Sequence, residues 1–382
     1  MSTVPPSSNH SSVRPEASAP FGLINLLKAG AAQLMVLHHL AFYGPMADQV
    51  RPELPGLIGW LGNEARIAVQ LFLVIGGFLA AKSLAPKGWA SLPFQPLRTI
   101  LRRYLKLAPP FIVAMLVAVA ASALAGRWMH HGSISAPPQL LQLISHALLL
   151  HGVFEVESLS AGAWYVAIDF QLYTAFCLLL CVCAGVGSQR SRALAGFALV
   201  TLCATMSLLH FNRQPDLDNW ALYFFGSYGL GVLAWWAGDP ERSPMGATCL
   251  RLAILLPALL ALMIDFRSRI AVALITAFVL SLYGRVRLPS RGMASTVVNR
   301  LGNLSYAQFL IHFPVSLLIN AYFTRFLPAS PLVQGLGMLL AWGASLGAGA
   351  AFHHWVEQPL NRLFSAPRPA RAAAGVGRYR EG

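Results

Sequence analysis

The chain alternates long apolar runs with short polar connections. The runs fall near residues 22–43, 66–84, 107–125, 164–185, 193–210, 219–237, 250–265, 269–284, 304–324 and 332–354. About twenty apolar residues carry a helix across a hydrocarbon core, so the pattern predicts about ten transmembrane helices. The shorter apolar stretch 139–153 reads as an interfacial or re-entrant helix. No run alternates with period two, and lipid accommodates only helices and closed barrels. The expected fold is an all-α integral membrane protein with one transmembrane domain over residues 21–364. Residues 1–20, rich in Ser and Pro, are expected to form a disordered leader. Residues 365–382, rich in Ala, Arg, Gly and Pro, are expected to form a disordered tail. The first apolar run lacks a convincing cleavage site and reads as a helix rather than a removable signal.

Composition agrees with the pattern. The 382 residues are 56% hydrophobic and 11% charged, with a mean hydropathy of +0.58, whereas soluble domains average about 25% charged residues. The net charge of +14 raises the question of nucleic acid. It is answered by position, because the basic residues sit in short loops between apolar runs, where orientation signals belong. With the N-terminus in the cytoplasm, 21 of the 28 Lys and Arg fall on the cytoplasmic side. The other seven are Arg51, Arg66, Arg127, Arg213, Arg267, Arg269 and Arg325. A bias that alternates in step with the loops predicts both termini inside. The five cysteines lie in or beside apolar runs, without metal-ligand spacing, and read as packing thiols. No metal is expected.

Polar residues inside these runs carry the candidate chemistry. Lys28 and His39 stand eleven positions apart on the first helix. At about 100° per residue they share a face, roughly 16 Å apart along the axis. Ionisable groups inside a span are costly and usually face a cavity or a partner. Lys28 reads either as a snorkelling anchor or as a site cation. His39 reads either as an interfacial residue or as a general base, since an imidazole titrates near neutrality. His38 points about 100° away and is the alternative base.

Arg98, Arg102, Arg103 and Lys106 cluster at the mouth of the third span, with Lys82 and Lys87 in the same loop. They read as an orientation anchor or as holders of phosphate groups. Trp164, Asp169, Gln171 and Tyr173 open the fourth span. Asp169 is an intramembrane carboxylate, expected near the outer side, that needs a cation or a substrate hydroxyl as partner. Ser305, Tyr306 and His312 lie early in the ninth span, and Glu357 with Pro359 closes the last. Gly76 and Gly77 are expected to permit close helix packing, together with Phe72 and Phe78.

Taken in order, these segments resemble the membrane-bound acyltransferase family 3, whose bacterial members O-acylate glycans such as O-antigen, exopolysaccharide, Nod factors and peptidoglycan. The resemblance runs from about 22 to 363. KAGAAQLMVLHH is similar to the first-helix signature of Arg or Lys, ten residues, then His, and selects His39 over His38. VQLFLVIGGFL, RRYLKLAPPF, WYVAIDFQLY, SYAQFLIHFPV and HHWVEQPLNRL resemble later motifs of that family in the same order. The chain departs from the common pattern at Lys28 (usually Arg), Asp169 (usually Glu), Lys106 (often Arg), Gln70 (often Asp) and Gly76 (often Ser).

The resemblance implies a stand-alone O-acyltransferase of the bacterial cytoplasmic (inner) membrane. Its donor would be acetyl-CoA or another acyl-CoA from the cytoplasm. Its acceptor would be a hydroxyl of an extracytoplasmic glycan or lipid-linked sugar, and its other partner membrane lipid. It further implies His39, Lys28 and Asp169 as catalytic residues, and Arg102, Arg103 and Lys106 at the CoA phosphates. Trp164, Tyr173, Tyr306 and His312 would meet substrate. His39 would activate the acceptor or relay the acyl group. The alternatives are a transporter or flippase of a glycan intermediate, for which inverted repeats are the sign, and a non-catalytic membrane partner of a polysaccharide assembly complex. No clear internal repeat is found.

Overall fold

A computed structural model describes residues 22–285 and 292–364. The expected leader and tail lie outside the described residues, as do Arg287 and Arg291. The described residues form helices and connecting turns, with no strand among them. The helices are α1 Gly22–Phe42, α2 Pro45–Val50, α3 Pro55–Asn63, α4 Ala68–Leu84, α5 Pro96–Ala125, α6 Leu140–Ala147, α7 Ala163–Ala184, α8 Gln189–Leu209, α9 Ala221–Ala237, α10 Pro244–Ile264, α11 Ser268–Tyr283, α12 Met293–Phe326, α13 Pro331–Phe352 and α14 Gln358–Phe364. A π-helical turn, His353–Glu357, joins the last two.

Local chemistry sets the helix starts. Proline opens α2, α3, α5, α10 and α13, where its missing N–H costs nothing. The hydroxyls of Ser188, Ser243 and Ser330 accept the backbone N–H of Ser191, Gly246 and Val333 and cap α8, α10 and α13.

All ten expected runs are helical. Seven stretches are long and apolar enough to cross a membrane: α3–α4, α5, α7, α8, α10, α12 and α13–α14. The other three differ for identifiable reasons. Helix α1 has 21 residues but carries Asn25, Lys28, Gln33, His38 and His39. Helices α9 and α11 have only 17 and 16 residues. Every residue of α9 from Tyr223 to Ala237 is buried, so this helix is wrapped by its neighbours. It lies backbone to backbone against α4. A Cβ on Gly77 would overlap the carbonyl of Tyr228, and one on Gly231 would overlap the carbonyl of Val74.

Two helices begin earlier than the apolar pattern indicated. Helix α5 starts at Pro96 and α12 at Met293, so the basic cluster 98–106 is helical rather than loop. The short α6 occupies the stretch read as interfacial, with Leu140, Leu141 and Ile144 exposed.

Helices α1, α12 and α13 are pinned by amides. Nε2 of Gln33 donates to Oε1 of Gln308 (2.8 Å), and the indole of Trp342 donates to Oε1 of Gln33 (2.9 Å). Nδ2 of Asn25 donates to Oδ1 of Asn299 (2.9 Å). Bonds of this kind fix the register of helices that have no hydrophobic reason to prefer one another in lipid. The register chosen brings His39 of α1 against His312 of α12.

Candidate functional site

His39 and His312 are both buried. Nδ1 of His39 lies 2.6 Å from Nε2 of His312, and the two ring planes are 6° apart. Nδ1 of His312 lies 2.7 Å from the carbonyl of Phe309 and 3.2 Å from that of Gln308. Carbonyls only accept, so Nδ1 of His312 carries the hydrogen. With both rings neutral, Nε2 of His312 is then bare and accepts from Nδ1–H of His39. This leaves Nε2 as the basic nitrogen of His39. His38 is fixed separately: its Nδ1 donates to the carbonyl of Leu61 (2.8 Å). Among the described residues no three His, Cys, Asp or Glu side chains converge as a metal site, despite three adjacent imidazoles.

His39 lines a cavity of ≈ 630 Å³ together with His38, Tyr43, Glu64, Arg66 and Trp164. A second cavity of ≈ 750 Å³ shares Glu64, Arg66 and Trp164 with it and extends to Tyr223, Phe224, Arg267 and Arg269. The two form one vestibule at the end of the bundle built from the connections that follow α1, α5, α8 and α10. Trp164 stands between them, its ring 5.7 Å from that of Phe224.

Lys28 lines a different cavity, of ≈ 250 Å³, with Arg103, Lys106, Asp169, Tyr306 and Glu357. The face shared by Lys28 and His39 therefore opens on two separate spaces. Phe72, Tyr165 and Phe309 also line the Lys28 cavity, and the Phe309 ring lies 5.9 Å from that of His312. Asp169 lines this cavity and not the vestibule at His39. Its partner is Arg103, which forms an ion pair with it and lies 5.1 Å over the ring of Tyr173. The hydroxyl of Tyr306 donates to the carbonyl of Leu107 (3.0 Å).

The structure thus gathers Lys28, Arg103, Lys106, Asp169 and Tyr306 around one cavity, with Tyr173 behind Arg103. It gathers His39 and Trp164 around another, with His312 behind His39. Arg102 is exposed and lines neither. Glu357, Glu64 and Arg66 are among the lining residues not singled out as site members from sequence. Glu357 is held by Nδ1 of His353 (2.7 Å) and closes the Lys28 cavity. Its place after the last span was its signal. Glu64 and Arg66 read as ordinary loop charges.

These features define a multi-pass, all-helical membrane protein with an imidazole pair at a vestibule at one end of the bundle and a separate basic cavity. A family model described as an acyltransferase domain, that of acyltransferase family 3, matches residues 22–351, and the chain belongs to this family of enzymes. No curated protein and no solved structure matches the chain.

Proposed function

We propose that this acyltransferase moves an acetyl or other short acyl group from a cytoplasmic acyl-CoA to a hydroxyl of an extracytoplasmic glycan, in the bacterial inner membrane. The observation that carries this reading is the hydrogen-bond chain from the Phe309 carbonyl through His312 to His39, which leaves a basic nitrogen on the residue lining the outer vestibule.

The acceptor sits in the vestibule, where Trp164 and Tyr43 offer aromatic faces to a sugar ring. The donor enters from the Lys28 side. Lys28 and Lys106 meet its anionic groups as point charges. Arg103 is committed to Asp169 and shapes the wall. Nε2 of His39 takes the proton of the acceptor hydroxyl as its oxygen attacks the thioester carbonyl. The new C–O bond forms, the C–S bond breaks, and the leaving thiolate takes the proton back from Nε2 of His39. The imidazolium formed on His39 keeps its Nδ1–H bond to His312. His312 therefore orients the base, as the third member of a nucleophile–base–orienter set does.

Mass spectrometry of cell-surface glycans with and without the protein tests this reading. Loss of an acetyl-sized increment from one glycan supports it. A changed amount of surface glycan with its acyl groups intact points instead to transport.

A further inference from the structure

Four of the seven arginines assigned to the outer side, Arg66, Arg213, Arg267 and Arg269, gather at the second outer cavity. Cations in outer loops oppose the orientation signal of a membrane protein, so their convergence has another cause. Arg66, Arg267 and Arg269 line the cavity. Burial, then the neighbouring Arg269, holds the guanidinium of Arg267 below its ordinary value, and Arg213 adds to this.

The partners of Arg267 and Arg269 are mostly uncharged. Arg267 donates to the carbonyl of Leu208 (3.0 Å) and to Oδ1 of Asn212 (2.6 Å), tying the end of α8 to the α10–α11 turn. Arg269 donates to the carbonyl of Asn212 (3.0 Å) and to the hydroxyl of Tyr223 (2.5 Å). The one carboxylate contact is Asp265, 3.5 Å from Nε of Arg267. Arg66 is exposed, its guanidinium makes no hydrogen bond or ion pair with any described residue, and it lines both outer cavities. Two carboxylates, Glu64 and Asp218, also line the second cavity, and neither is ion-paired with a described residue. With Asp265 on Arg267 and Arg213 beside it, four guanidiniums stand against three carboxylates, which leaves one excess positive charge, and Arg66 is the lining cation with open donors.

We propose that the second outer cavity is an acceptor subsite for an anionic group, a carboxylate or a phosphate, carried by a sugar next to the one acylated, with Arg66 as its clamp. This rests on the glycan-acceptor reading above and adds to it the charge and minimum length of the acceptor. A guanidinium matches either anion with paired donors. The half-buried ring of Trp164, backed by Phe224, supplies the stacking surface for the sugar that bears it. Each outer cavity lies within the ~300–1,000 Å³ range of ligand sites, and their shared wall makes one continuous path.

The test uses the full-length His39→Ala protein in lipid nanodiscs, so that no turnover occurs, and calorimetric titration with three probes. These are a glucose–glucuronic acid tetrasaccharide, its carboxyl-reduced neutral form, and the neutral form carrying a terminal phosphate. At low salt at least one anionic probe is expected to bind about tenfold tighter than the neutral one, and which one names the source of the anion. Adding Arg66→Gln brings the ratio to near one, while Arg66→Lys keeps part of it. Raising the salt shrinks the preference by screening. Equal binding of all three probes, binding of none, or a preference that survives Arg66→Gln overturns the proposal. Transfer of labelled acetyl from acetyl-CoA to the same probes by the unmutated protein is followed in parallel. If no probe is labelled yet charge-dependent binding persists, the acyl-transfer reading fails and the subsite stands.

Discussion

Nε2 of His312 accepts the Nδ1–H of His39, across 273 residues of sequence, because the carbonyls of Phe309 and Gln308 hold the other nitrogen of His312. Replacing His312 by Phe removes the acceptor while keeping a ring in place. The rate of acyl transfer is expected to fall about 10²-fold, within the range of a lost acid–base contribution, with KM for the acceptor little changed. His312→Gln can offer a carbonyl oxygen to the same Nδ1–H and is expected to restore part of the rate. Steady-state kinetics of the two variants check this, and equal rates for both variants contradict a positioning role.

Asp169 is buried and paired with the part-buried Arg103, so its removal leaves that cation without its partner. Breaking such a pair costs about 3–5 kcal/mol. Asp169→Asn and Arg103→Gln are each expected to lower thermal stability in detergent, and the double variant to lose less than the sum. An additive double-variant cycle excludes the pairing as a source of stability.

Helices α4 and α9 touch through Gly77 and Gly231, where a methyl group would meet a carbonyl of the facing helix. Gly231→Ala is expected to destabilise the protein by more than about 2 kcal/mol, since overpacking of a rigid contact costs about 1–3 kcal/mol. Gly30→Ala, inside α1 where a Cβ meets nothing within 4 Å, is the control and is expected to keep or slightly raise the unfolding midpoint.

His151, outside the membrane-spanning helices, is stacked on His146 with ring centroids 4.1 Å apart, and both its ring nitrogens are buried without a hydrogen-bond partner. His146 has no nitrogen to offer: its Nδ1 donates to the carbonyl of Gln142 (2.8 Å), and its Nε2 accepts the N–H of Leu159 (3.1 Å). Burial, then the neighbouring His146, pulls His151 from its ordinary 6.5 down to about 3. Between these values the unfolded chain binds a proton that the folded chain refuses, so stability is complete above pH 6.5 and falls as the pH drops. The expected loss between pH 6.5 and 5 is about 2 kcal/mol. Thermal unfolding at pH 7.5 and 5.0 measures it, and His151→Phe is expected to flatten the dependence. An undiminished slope in that variant assigns the effect to another group.

Much of the architecture was legible because lipid leaves a chain few choices. Each apolar run had to be helical, and each is. Lys28 and His39 stood out because helical periodicity alone places them on one face. What the sequence hid is lateral. Which helix meets α1 depends on amides such as Gln33 and Gln308, and so the His39–His312 bond does too. Asp169 shares the Lys28 cavity because Arg103 of α5 meets it there, a pairing between helices that its place early in α7 did not show. Arg66, Arg267 and Arg269 looked like residual loop charges, since only folding brings their three connections to one cavity. Helix α1 fell short of the apolar standard for a span because the residues that make the site are the polar ones.

The central claim is that His39 carries the transfer as its base. Its most direct test follows labelled acetyl from acetyl-CoA into glycan, using membrane vesicles with the unmutated protein or His39→Ala at equal protein levels. The account predicts that the variant transfers label at least about 10²-fold more slowly while His38→Ala retains most of the rate. Undiminished transfer by His39→Ala would contradict it.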